Sequence, residues 1–371
     1  MKLCYRHRGG ERPCAAALAL ALVFSSAPAD AQVKDSTARM ERIAAGVYVI
    51  IHDNATDEWP HGNTGVIVGD DGVFVLDATY LPSRARADIA LIKSVTPKPV
   101  RYLAYTHWHF DHNNGGIAYR EAWPDVTIVS ERQTRDFIAL NTVFWARMST
   151  APTSARRASL AALEAEVKSG KDSAGTALSA EDRNRKATYV RQRKNELEEL
   201  ASLKMVEPNL VFDNELILRM GNRTIVLHDW GRANSPHDVT LFLPEERILF
   251  AGDILVQAPF PFTGASNPVP WIDVLRKIET MQLATLVPGH GPVFHDHTYT
   301  RQVRALLEAA TTRATAMALE GKTLDQVQER LTLDDIRAAT PAWKASPDDE
   351  DWKATIRVLI ERAWRGVRGQ A

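Results

Sequence analysis

The sequence predicts a mixed α/β protein, and three observations carry that expectation. Short apolar runs rich in Val and Ile, punctuated by turn signals, fill residues 46–129 and return over 216–287. Between them, at about 145–205, lies a stretch rich in Ala, Lys, Arg and Glu with few β-branched residues, which reads as a helical insertion. From Thr298 onward, apolar residues recur at helical spacing. The order of elements fits mostly antiparallel hairpins with helices outside.

Each element has its own signal. Residues 1–31 read as a secretory signal peptide: basic Lys2, Arg6, Arg8 and Arg12, an apolar run Ala15–Phe24, and the cleavage-type triplet Ala29-Asp30-Ala31. The mature protein is therefore expected to be periplasmic or secreted. Cys4 and Cys14, the only cysteines, lie in this leader, so the mature chain would use no disulfide, thiolate nucleophile or cysteine ligand. Val47, Val49 and Ile51 alternate as in a strand. Val66-Ile67-Val68 and Val73-Phe74-Val75-Leu76 flank Asp70-Asp71-Gly72 as a hairpin. Arg84–Ser94 is helix-like, and Val100–Tyr105 and Val126–Val129 are short strands. The insertion breaks near Gly170–Gly175, and Ser179 with Asp182 resembles a helix cap before Val190, Leu197 and Leu200. Its dense charges read as a solvated face, with a lid or dimer contact as the alternative.

Strands resume at Leu216–Leu218 and Ile225–Leu227 around a Gly221-Asn222 turn, then at Val239–Leu243 and Ile248–Ala251. A helix near Ile272–Met281 precedes a short strand at Leu286-Val287. In the C-terminal extension, Val303, Leu306, Leu307 and Ala310 share a helix face. Thr323 with Gln326 fits a capping box, and Ser346-Pro347-Asp348-Asp349 fits a helix start. The domain reading is 1–31 leader, 32–297 main domain containing the insertion, and 298–371 helical extension.

Composition narrows the function classes. Among 371 residues, 45 Lys+Arg balance 46 Asp+Glu, a formal net charge of -1. That lacks the basic surplus of a nucleic-acid binder. Nothing approaches the roughly 18 consecutive apolar residues of a membrane span. The partner implied is a small-molecule substrate; no motif encodes the oligomeric state.

The chemistry lies in His107-Trp108-His109-Phe110-Asp111-His112, directly after an apolar strand. Neutral imidazoles with a carboxylate suit Zn2+. Alternate residues on an extended loop can face one metal, while Asp111 and His112 serve a neighbour from a helix start. Asn113-Asn114-Gly115-Gly116 would supply the tight turn. Trp108 and Phe110 read as packing beneath this loop; Trp59, Trp145 and Trp271 could wall an apolar pocket. His228 and His61 are weaker candidates, a wall residue and a pocket-rim residue. His52, His295 and His297 have no evident partner.

H-x-H-x-D-H resembles the signature of the metallo-β-lactamase superfamily of hydrolases. Asp77 after the strand Val73–Leu76, Asp253 in Phe250-Ala251-Gly252-Asp253, and His290 in Pro288-Gly289-His290-Gly291 match later motifs in the right order over about residues 45–295. The resemblance implies a four-layered αβ/βα sandwich. It also implies two Zn2+ ions, a mostly structural Asp77, a bridging Asp253, and a reaction in which metal-activated water attacks a carbonyl compound. β-Lactams, esters, thioesters and lactones all stay open. Asp111 and Asp253 are the catalytic carboxylates of this reading, Asp111 also orienting the nucleophile.

The pattern is broken once. Gly231-Arg232-Ala233-Asn234-Ser235-Pro236-His237-Asp238 puts Asn234 where the family has a histidine ligand, and His237 where it has a glycine. An amide oxygen is a poorer zinc ligand than imidazole. The first site (His107, His109, Asn234) is therefore expected to bind more weakly than the second (Asp111, His112, His290, with Asp253 shared). Asn234 ligates directly, His237 replaces it, or the first site stays partly empty. Within the resemblance, Asp253 in place of cysteine, His109 in place of glutamate and Asn234 disfavour the cysteine-ligand lactamases, the flavin-linked di-iron enzymes and the mono-iron dioxygenases. A metal-dependent oxidoreductase and a non-catalytic metal-binding relative remain as alternatives.

Overall fold

The computed structural model describes residues 38–52, 61–151, 154–257, 260–344 and 349–369. The leader, Trp59, the Trp145 side chain and Ser346-Pro347-Asp348 lie outside them. Four strands pair antiparallel in sequence order: β1 (Arg39–Ala44), β2 (Val47–Ile51), β3 (Thr64–Val68) and β4 (Val73–Leu76). The β3–β4 hairpin closes at its Asp-Asp-Gly turn, where Gly69 N–H donates to the Gly72 carbonyl at 2.9 Å. The sequence gives no sign of β1, because its residues, RMERIA, are half-buried to exposed at a sheet edge and show no apolar alternation.

After β4 the topology changes. Helix α1 (Pro82–Val95), with proline in its first turn, crosses back so that β5 (Val100–Ala104) runs parallel to β4. Helix α2 (Gly116–Ala122) leads to β6 (Thr127–Glu131), parallel to β5. The insertion follows as α3 (Arg132–Thr150), α4 (Ala155–Ser169) and α5 (Ala180–Ala201), before β7 (Leu210–Phe212), parallel to β6. Its helices thus begin at Arg132, not near 145. The N-cap is Glu131, accepting from Thr134 N–H, rather than the Ser, Thr, Asp or Asn that marks most helix starts. The internal break is as expected: Gly170 ends α4 in the left-handed region, and the Ser179 hydroxyl caps α5 by accepting from Asp182 N–H.

The second sheet comprises β8 (Glu215–Met220), β9 (Arg223–Asp229), β10 (Val239–Leu243) and β11 (Ile248–Phe250), all antiparallel. Helix α6 (Pro268–Thr280) then returns the chain so that β12 (Thr285–Val287) lies parallel to β11. The chain ends in α7 (Thr298–Leu319), α8 (Leu324–Arg330), α9 (Asp334–Ala339), α10 (Pro341–Lys344) and α11 (Asp349–Val367). The Thr323–Gln326 capping box forms.

Most strand pairs are antiparallel, as expected, but β4–β7 and β11–β12 pair in parallel, which the sequence does not signal. A run of four or five apolar residues does not distinguish a parallel from an antiparallel neighbour. The crossover helices decide it.

Four layers result. The inner faces of the two sheets enclose Ile67, Phe74 and Leu76 against Leu227, Leu241 and Phe250. Ile89 and Ile92 of α1 and Tyr119 of α2 cover the outer face of the first sheet. Leu275, Leu307 and Leu359, from α6, α7 and α11, cover Leu249 and Leu286 on the second. The helices after 298 thus share a core with α6 and β12. Among the described residues, no helix is long and apolar enough to cross a membrane.

Candidate metal centre

Parallel neighbours end at the same edge of a sheet, and this edge carries the site. Asp77 leaves the end of β4, and Thr106–His112 leave the end of β5. On the facing sheet, Asp253 follows β11 and His290 follows β12. Val239 N–H, at the start of β10, donates to the Thr106 carbonyl at 2.9 Å and joins the sheets here.

Two groups of donors converge, His107/His109/Asp253 and Asp111/His112/His290. In the first, His107 Nε2 lies 2.7 Å from His109 Nδ1 and 3.5 Å from Asp253 Oδ2, which is 3.9 Å from His109 Nδ1. In the second, His290 Nε2 lies 3.2 Å from both His112 Nε2 and Asp111 Oδ2, and His112 Nε2 is 3.7 Å from Asp111 Oδ2. The other Asp253 oxygen, Oδ1, faces this second group, 3.2 Å from His112 Nε2 and 3.6 Å from His290 Nε2. One carboxylate therefore serves both. A tetrahedron with ~2.0 Å metal–ligand bonds has edges of about 3.3 Å, and these donors lie around that value, from 2.7 to 3.9 Å apart. All six side chains are buried. Both groups could hold a metal ion.

The supporting shell fixes which nitrogen faces inward. Asp77 Oδ2 lies 2.8 Å from His112 Nδ1; a carboxylate only accepts, so Nδ1 carries a proton and Nε2 is the nitrogen left to face a metal. The same carboxylate accepts from Thr106 N–H (2.8 Å) and its hydroxyl (2.9 Å), tying the β4 end to the β5 end. Asp77 does this at φ 65°, a left-handed conformation that Asp tolerates better than most residues. Gly115 is required by close approach rather than by a left-handed turn: its φ is −72°, and a Cβ there would lie 1.9 Å from the Ala78 carbonyl.

Electrostatics favour a cation. Burial, with His112 nearby, pushes His107 down to about 4, so it is neutral and able to ligate. Burial works against charge on His112 too, yet Asp253, Asp77 and Asp111 outweigh it and raise its pKa. Asp111 falls to about 2 and Asp253 also falls, because the histidines around them outweigh the cost of burial.

Asn234 is fully buried on the loop before β10. Its Nδ2 donates to the Phe262 carbonyl at 2.6 Å, which turns Oδ1 away from that carbonyl; Oδ1 is buried with no hydrogen-bond partner among the described residues. Phe262 itself packs edge-on to His109. His237 is engaged elsewhere, 2.9 Å from Asp229 Oδ2 and 3.7 Å from Glu131 Oε2, and forms with them a third, separate His/carboxylate group rather than joining His107 and His109. Asp238, used in the sequence only to align the motif, shapes this loop by accepting from Ser235 N–H at 2.7 Å; burial pushes its carboxyl up to about 7.

Several expectations need correcting. Trp271 walls no pocket: it is fully buried in the α6 core, its indole N–H donating to the Ile254 carbonyl. His52 has a partner, the buried Asp88, at 3.2 Å. His61 is buried rather than on a rim, and its Nδ1 accepts from Tyr80 N–H. The insertion is not only a solvated face. Its Glu196 is fully buried, accepts from the Tyr80 hydroxyl at 2.9 Å and pairs with Arg156 and Arg193, while Leu200 packs with Tyr80, Leu81 and Phe110. Phe110 packs against Tyr80, and Trp108 against Phe137 of α3. His228, on β9, pairs with Glu215 of the neighbouring β8.

A two-sheet sandwich flanked by helices, with a double His/Asp cluster where parallel strands end, defines a metallo-hydrolase-like α/β protein. Residues 57–290 match the model of the metallo-beta-lactamase superfamily, and the chain belongs to that superfamily. It is 22% identical over 315 residues to the linear primary-alkylsulfatase of Pseudomonas sp. (strain ATCC 19151), covering 82% of this chain and 55% of that protein. The sec-alkylsulfatase Pisa1 from Pseudomonas sp. superposes with TM-score 0.58 at 16% identity, over 88% of this chain and 50% of that one. A metallo-beta-lactamase from Pontibacter korlensis gives TM-score 0.51 at 15% identity, over 73% and 99% respectively. The chain thus spans about half the length of the alkylsulfatases it matches.

Proposed function

We propose that this protein is an exported, zinc-dependent hydrolase of a small molecule with a carbonyl centre: a β-lactam, ester, thioester or lactone. The observation that carries the reading is Asp253, whose two oxygens face the two donor groups separately. His107, His109 and Asn234 would hold one Zn2+ and Asp111, His112 and His290 the other, with Asp253 shared. Asn234 is assigned to the first site by its position in the motif, and its buried Oδ1, which has no hydrogen-bond partner among the described residues, supports that assignment. Bound divalent cations bring the pKa of water towards neutrality and polarise the group under attack. The chain's residues do the rest. Asp111 offers its carboxylate to orient the attacking water, and Asp77 holds the His112 tautomer. Phe262 and Trp108 flank the His109 ring.

A sulfate ester is the second reading. It is favoured by extent, since the alkylsulfatase similarity runs over 82% of the chain, well beyond residues 57–290. The test uses mature protein, zinc analysis, and a chromogenic panel of cephalosporin, ester, thioester, lactone and aryl sulfate. Chelation should abolish turnover and zinc should restore it. Protein that binds no zinc, or that turns over regardless of chelator, overturns the reading.

A further inference from the structure

We infer that the His61–Thr64 segment is a clamp that aims His290, and that Asn63 is its positioning residue. The inference rests on the metal reading above and extends it to residues without donor atoms in either cluster. Asn63 is buried, and its Nδ2 donates to two carbonyls, Pro288 at 3.0 Å and Gly291 at 2.9 Å, which bracket His290. Its backbone N–H donates to the Gly289 carbonyl at 2.6 Å. One residue thus makes three bonds to a single turn. Its neighbour Gly62 donates its N–H to the Asp111 carbonyl at 3.1 Å, and so ties the same segment to the other ligand loop. Gly62 also lies flat against His112: a Cβ there would be 2.4 Å from Cε1 and 2.6 Å from Nδ1. Beyond them, the Thr64 hydroxyl anchors the segment to buried Asp88 at 2.8 Å.

His290 needs such a clamp more than His112 or His107 does. Ligand histidines are usually aimed by a hydrogen bond at the nitrogen that does not bind metal. His112 has Asp77 for this, and His107 has the Thr106 hydroxyl 3.0 Å from Nδ1. His290 Nδ1 is buried with no hydrogen-bond partner among the described residues. Its ring direction therefore comes from the backbone of its turn. The Asp253 side fixes one flank, through Gly289 N–H to the Gly252 carbonyl (2.7 Å) and Gln257 N–H to the His290 carbonyl (3.0 Å). Asn63 fixes the other.

The test compares full-length wild type with Asn63→Ala, Asn63→Asp and Gly62→Ala. Each is titrated with Zn2+ against a competing chelator and with Co2+ followed by its visible spectrum, with a melting curve of each metal-free protein. Outer-shell partners of ligands are typically worth ~10–100-fold in metal affinity. Asn63→Ala should weaken one of two zinc equivalents by about that factor and alter the Co2+ bands of that site, leaving the other equivalent in place. Asn63→Asp should weaken it further, because an oxygen then faces two carbonyl oxygens. A space-filling role gives the opposite order, since Asp keeps the shape of Asn. Gly62→Ala should disturb the same equivalent through His112. Wild-type affinity in both Asn63 variants, or equal loss of both equivalents with a collapsed melting temperature, overturns the clamp while leaving the hydrolase reading intact. Wild type that takes up no cation refutes both.

Discussion

Replacing Asp77 by Asn separates charge from shape at the second cluster. The backbone there has φ 65°, and Asn accepts that conformation as readily as Asp, so no strain is added. Asp77 presents two acceptor oxygens, one to Thr106 N–H at 2.8 Å and one to His112 Nδ1 at 2.8 Å. Asn keeps a single oxygen. With that oxygen on Thr106, its NH2 group meets His112 Nδ1. The ring then either faces a second donor or moves its proton to Nε2, the nitrogen aimed at Asp111, Asp253 and His290. Both outcomes remove a charge-assisted hydrogen bond worth about 1.5–3 kcal/mol. At ~1.4 kcal/mol per decade this is roughly ten- to a hundredfold in affinity for one cation. Competition between the protein and a chromogenic chelator at neutral pH resolves the two zinc constants, and the melting temperature of metal-free protein reports any general damage. One constant should weaken by that factor and the other by less than about threefold. Two unchanged constants would refute the idea that Asp77 acts through the His112 tautomer.

Other perturbations probe other parts of the molecule. Asn234→His should raise occupancy of the first site in zinc titrations; unchanged occupancy, with His237→Ala lowering it, would reassign the ligand to His237. Acid should release metal, because protons compete for the same imidazoles and carboxylates, and zinc retention against pH measures it. Leu307→Ala, in the core shared by α6 and α7, should cost about 2–5 kcal/mol in urea unfolding; less than 1 would mean the C-terminal helices stabilise little. His237 is held above its ordinary pKa, chiefly by its hydrogen bond to Asp229. Its contribution to stability is then fully present below about pH 6.5 and disappears as pH rises through the raised value. Melting curves of wild type and His237→Gln should therefore lie apart in mild acid and converge in alkali, and a constant gap would contradict this.

What could be read in advance depended on whether the signal was local. His107, His109, Asp111 and His112 stand out because metal ligation demands particular residue types, and those types are rare at such density; Asp253, His290 and the odd Asn234 were legible only through the resemblance to the family's later motifs. The β3–β4 turn, the Ser179 cap and the Thr323 capping box are equally local, each set by a few adjacent residues. Asn63 and Asp88 carried no such mark. Their partners lie far along the chain, Asn63 bonding to Pro288 and Gly291 and Asp88 to His52, so one sequence shows two unremarkable polar residues. Glu196 was hidden for another reason. In a helix dense with charges, nothing local separates the carboxylate that ends up buried from those that meet water.

By itself, then, the sequence determined the donor chemistry, the alternation of strands and helices, and the broken position at 234. The tertiary structure decided where these meet. Parallel pairing of β4 with β5, and of β11 with β12, depends on crossover helices packing against a sheet, a cooperative event that no short window encodes. Because parallel strands finish at one edge, that pairing brings Asp77, the 107–112 loop, Asp253 and His290 within bonding distance of one another.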